Sequence, residues 1–133
     1  MPKGAVLVCV TAQKSSHLLI RRGAELARRE ALPLLVLFVC GSGPNLLEMP
    51  GVSEMLDDLY RASCAEGAEM TMLTSPDPRS AIRSFAQERH ATHLVMGQGV
   101  PSPHGLAAQL ASDLPEVHIH TELTECMPEM AAL

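Results

Sequence analysis

At 133 residues the chain has the length of one domain, enough to bury roughly two thirds of its unfolded surface. Its formal net charge of −5, with no Trp, one Tyr and two Phe, argues against nucleic-acid binding, which needs a basic footprint and often aromatic stacking platforms. The core must be built from Leu, Val, Ala, Met and Ile, and no apolar run approaches the ~18 residues of a membrane span.

Gly4 to Val10, GAVLVCV, reads as a first strand. The polar stretch Thr11 to Ser16 follows, and His17 to Glu30 has helical periodicity. Ile20, Ala24, Ala27 and Ala31 mark the buried stripe, broadened by Leu19, Gly23 and Leu26. Ser15 or Ser16 can cap the helix by accepting from a free backbone N–H, and Pro33 stops it. Leu34 to Cys40 is apolar without alternation, as expected of a central parallel strand covered on both faces. Ser53 is a good cap for a second helix with Met55, Leu56, Leu59 and Ala62 inward and Gly67 as its stop.

Glu69 to Thr74 mixes polar and apolar residues, which suits an edge strand. Asp77 followed by Pro78 is a helix start with a mechanism on each residue. Ala81, Ile82, Phe85 and Ala86 give that helix its inner face. His93 to Met96 is a fourth strand ending at Gly97, and Gly97 to Gly105 is a Gly/Pro/Ser loop. Leu106 to Leu114 forms a short helix, and Val117 to His120 alternates as a last edge strand. We expect one domain over residues 1–123 and a loosely ordered tail over 124–133.

Strands alternating with helices predict an α/β fold: a five-stranded parallel doubly wound sheet, order 3-2-1-4-5, with helices on both faces. Winding reverses between the first and fourth strands. The crevice at their carboxyl ends is the predicted ligand site. The helix start after the first strand suits an anion, with Lys14, Ser15 and Ser16 as further donors. Gly97, Gly99 and Gly105 allow close backbone approach to a phosphate. Neither a P-loop nor a G-x-G-x-x-G spacing occurs, so the alternative is that these glycines simply turn the chain.

Cys9, Cys40, Cys64 and Cys126 include no C-x-x-C pair and read as reduced thiols of a cytoplasmic protein. No Ser/His/acid set is indicated by spacing, so no catalytic residue is assigned. His118 and His120 form an H-x-H on one strand face. No third ligand is evident nearby, so an edge or interface role is preferred and no metal is assigned. His90 and His93 are read as exposed or capping, and Arg21, Arg22, Arg28 and Arg29 as a solvated helix face.

The segments VLVCVTAQKSSHLLIRRGAELARRE, LPLLVLFV and AIRSFAQERHATHLVMGQG resemble the universal stress protein family. The resemblance is greatest to the stress-protein-like domain of Kdp potassium-sensor histidine kinases. It implies a three-layer sandwich of the adenine nucleotide alpha hydrolase-like or flavodoxin-like type, a homodimer, and in many members bound ATP or another adenine nucleotide. Carried over, the binding positions are Val10, Thr11, Ala12, Val39, Cys40, Gly97 and Gln98. Thr11 stands where nucleotide binders place Asp, and Gly105 is followed by Leu106 with no Gly-Ser pair. The expected function is a non-catalytic regulatory module for stress response or signalling, sensing ATP, AMP or a cyclic dinucleotide. The alternatives are a ligand-free dimeric interaction module, pairing through Val117, His118, Ile119 and His120 or engaging a signalling partner, and a small nucleotide hydrolase. No membrane partner is expected.

Overall fold

The computed structural model describes residues 4–10, 16–40, 52–98 and 106–123. The elements run β1 (Val6–Val10), α1 (Ser16–Glu30), β2 (Leu34–Cys40), α2 (Val52–Ala65), β3 (Glu69–Thr74), α3 (Pro78–Glu88), β4 (His93–Gln98), α4 (Leu106–Asp113) and β5 (His118–Leu123). All neighbouring strands pair in parallel, in the order β3-β2-β1-β4-β5. This is the predicted doubly wound sheet, with β1 at its centre. Among the described residues no helix is long and apolar enough to cross a membrane.

The sheet divides the core into two layers. Val6, Val8, Val10, Val36, Phe38 and Val95 face Leu19, Ile20, Ala24 and Ala27 of α1 and Leu59 of α2. Leu7, Leu35, Leu37, Leu94 and Met96 face Ile82, Phe85 and Ala86 of α3 and Leu110 of α4. Consecutive residues of a strand point to opposite faces, so the unbroken apolar runs in β1 and β2 feed both layers. Gly23 lets α1 seat directly on β1: a Cβ there would fall inside 3.0 Å of Val8 Cγ2.

Local chemistry explains most boundaries. The Asp77 carboxylate accepts from the Ser80 backbone N–H at 3.4 Å, and Pro78 opens α3. Arg79 then clamps α4: its Nε and Nη2 donate to Asp113 Oδ2 at 2.6 Å and Oδ1 at 2.8 Å. This two-point pairing holds the Asp113 carboxyl below its ordinary value. The buried Ser63 hydroxyl donates to the Leu59 carbonyl at 2.8 Å, so it carries no unmet polar group into the core.

Several boundaries differ from expectation. Ala31 is exposed and lies outside α1, with φ of 58°. Its left-handed conformation lets the Leu32 N–H reach back to the Ala27 carbonyl at 2.9 Å, so a helix-closing turn precedes Pro33. Gly67 closes α2 and His90 closes α3 in the same way, with φ of 75° and 58°. Helix α2 already contains Ser53, so that serine belongs to the first turn and is not a flanking cap. Strand β4 continues through Gly97 to Gln98, and β5 begins one residue after Val117 and runs to Leu123. Gly97 is held in the β4–β5 ladder opposite Glu122, which removes it from the loop. The tail 124–133 lies outside the described residues.

Candidate functional site

The predicted crevice lies where β1 and β4 end. Val10, the last residue of β1, is 3% exposed, pairs in register with Phe38 and faces the α1 layer. Val39 is partly buried and faces the α3 layer, and Cys40 ends β2 opposite Thr74. Gly97 and Gln98 end β4, and Ser16 is the first residue of α1. Those strand ends and that helix start therefore lie along the carboxyl side of the sheet, as expected. Thr11, Ala12, Lys14, Ser15, Gly99 and Gly105 lie outside the described residues.

The electrostatics at the helix start are permissive for an anion. The first turn of α1 contains no acidic side chain, so no side chain of that turn opposes the positive end of the helix dipole. Three of the four arginines of α1 are engaged further along. Arg22 meets Glu25 at 3.7 Å, Arg28 meets Glu66 at 3.1 Å and Arg29 meets Glu30 at 3.9 Å. They form the expected solvated, acid-balanced face. On α2, Asp57 is exposed and pairs with Arg61 at 3.1 Å. Cys9 sits beneath the crevice, and burial pushes its thiol up to about 12. A thiol held protonated is a poor nucleophile, which fits a structural role.

One grouping was not anticipated. His93, the first residue of β4, pairs in register with His118, the first residue of β5. Its Nδ1 lies 3.2 Å from Nε2 of His120. Its ring stacks on His118 and His120, with centroids 5.1 Å and 5.4 Å away. His93 is thus half-buried in an imidazole cluster, which corrects its reading as an exposed or capping residue. The available signal was the shared starting register of β4 and β5. Starting the last strand at Val117 hides that match. Among the described residues no group of three His, Cys, Asp or Glu is arranged to hold a metal ion; these rings stack and do not enclose a common point.

Comparison with known proteins bears on the whole assembly. A model of the universal stress protein family matches residues 4–112. The sensor protein KdpD of Mycobacterium tuberculosis is 33% identical over 94 residues, covering 69% of this chain and 10% of that protein. The chain therefore spans about a tenth of the length of the curated relatives it matches. Among solved structures, a universal stress protein in complex with cAMP superposes with a TM-score of 0.70 at 16% identity, over 92% of this chain and 98% of that one. The universal stress protein from Archaeoglobus fulgidus in complex with dAMP gives 0.63 at 22% identity, over 91% and 98%. At such identities the structural likeness carries the fold.

Proposed function

Because the chain belongs to the universal stress protein family, we propose that it is a non-catalytic regulatory module binding an adenine nucleotide at the carboxyl ends of β1 and β4. The observation that carries this reading is the strand order, which reverses its winding between those strands and so opens a crevice beside the start of α1. The acid-free first turn of α1 suits a phosphate there. Two fold neighbours solved with cAMP and dAMP support an adenine ligand. With Thr11 in place of an aspartate, recognition rests on backbone groups and the helix dipole, and ATP, AMP and cyclic nucleotides are all suitable probes.

The test is thermal unfolding of the purified protein with each nucleotide, alongside mass spectrometry of protein prepared without added ligand. At a hundredfold excess over Kd, binding stabilises the folded state by about 2.7 kcal/mol, a midpoint shift on the order of 10 °C for a domain of this size. No shift with any adenine nucleotide, and none co-purified, would remove the proposal. Phosphate release from bound ATP is expected to stay at background; turnover above it would assign hydrolysis instead.

A second reading is favoured by β5, which among the described residues stands at the edge of the sheet. Such an edge can pair with a second copy of the chain through His118, Ile119 and His120. Sedimentation at high protein concentration is expected to show a dimer, and a strictly monomeric mass would reject this pairing.

A further inference from the structure

Among the described residues of one copy of the chain, β4 is the strand that pairs with β5 and α4 packs against it, and the imidazoles sit at the start of the β4–β5 seam. The His118 backbone N–H donates to the Thr92 carbonyl at 2.9 Å, and the His93 and His120 rings meet at 3.2 Å directly above it in the ladder. An N···N contact of this length needs one N–H and one lone pair. Neutral imidazoles satisfy it, and so does a pair sharing one added proton, whose bond becomes charge-assisted. With both rings doubly protonated, two N–H groups face each other and the contact becomes repulsive. His118, stacked at 5.1 Å on His93, adds a third site of like charge.

The charges of α1 bear on His93 from both signs. Helix α1 presents Arg22, Glu25 and Arg29 around a cleft of about 170 Å³ shared with Val95 and His120. Glu30 favours charge on His93 and Arg29 opposes it. These four side chains are ion-paired as Arg22–Glu25 and Arg29–Glu30, so acid and base from α1 nearly offset. What remains is burial and the neighbouring imidazoles, which hold His93 below the ordinary histidine value.

We infer that His93 and His120, with the His118 ring stacked on His93, form a proton-operated clasp on β5, closed with at most one proton shared across the N···N contact and released when a second is added. The sign follows from linkage. Once β5 opens, a freed histidine takes up its proton near pH 6.5, whereas in the closed strand burial and the neighbouring imidazoles hold His93 below that value. Between those values the open state carries more protons, so closure weakens as pH falls. The cost is local, because an edge strand can open without unfolding the sheet.

Hydrogen exchange of the full chain, without nucleotide, tests this at pH 7.5 and pH 5.0 after correction for intrinsic rates. Protection of the β4–β5 amides is expected to fall about tenfold or more at the lower pH, against less than about threefold for the β1–β2 ladder. His93→Phe keeps a ring in the stack and cannot charge; His120→Gln keeps a hydrogen-bonding group and cannot charge. Either is expected to reduce the β5 loss to below about threefold. Unchanged β5 protection in the natural protein would overturn the clasp. So would a loss shared equally by all strands, or one that persists undiminished in both variants.

Discussion

Gly23→Val is expected to lower stability by about 3 kcal/mol, at the upper end of the usual cost of overpacking a core. A glycine inside a helix costs about 1 kcal/mol relative to alanine, so position 23 trades helix propensity for contact. The gain lies in the packing. An added Cβ would fall inside 3.0 Å of Val8 Cγ2 and 3.3 Å from Leu34 Cδ1. Val8 cannot retreat: it is fully buried in the central strand, between Val36 and Val95. Even Gly23→Ala should therefore lose stability despite its better helix propensity. Urea unfolding measures both. Val8→Ala should recover part of the Gly23→Ala loss, a coupling that a double-mutant cycle reads directly. A Gly23→Ala protein at least as stable as the natural one would mean that α1 does not seat this closely on β1.

Phe38→Ala is expected to cost about 3 to 5 kcal/mol, a large fraction of the stability of a domain this size. Phe38 is 2% exposed and among the largest fully buried side chains. It lies in the layer beneath α1 and α2, where its neighbours are short aliphatics. Small side chains on a fixed sheet cannot collapse into the space of a lost ring. Phe85, the other phenylalanine, fills the opposite layer, with the Arg89 guanidinium 5.0 Å from its ring centre. It is 7% exposed, nearer the rim, so Phe85→Ala should cost less. The order of the two urea midpoints checks the assignment of Phe38 to the tighter layer. Equal losses would contradict it.

The architecture was legible because its signals are local and repeated. Unbroken apolar runs at β1 and β2, the helical stripe through Ile20, Ala24 and Ala27, and the Asp77–Pro78 start each carry their own physical cause. Alternation of strands and helices then leaves few topologies, and the predicted order is the one observed. Helix ends were harder. Ala31 and His90 adopt left-handed conformations that their side chains do not advertise, because the closing hydrogen bond is made by backbone. Register was harder still. The pairing of His93 with His118 depends on where two strands begin, and a one-residue error moves a side chain to the other face. At the candidate site, Val10, Val39 and Cys40 fall along the carboxyl side of the sheet where hydropathy ends the first two strands. Gly97 and Gln98 read as loop because hydropathy drops at Gly97, yet both belong to β4.

Tyr60 is the only tyrosine of a chain without tryptophan, and it lies 55% exposed on α2. The protein is consequently almost transparent in the near ultraviolet. Its lone phenol already stands largely in water, so unfolding changes its emission little, and circular dichroism is the better probe of the variants above. For ligands the same poverty is an advantage. A purine ring absorbs far more strongly than a single phenol, so one bound nucleotide per chain would dominate the absorption spectrum of the purified protein. The pale background turns a routine ultraviolet scan into a direct reading of whether the crevice is filled.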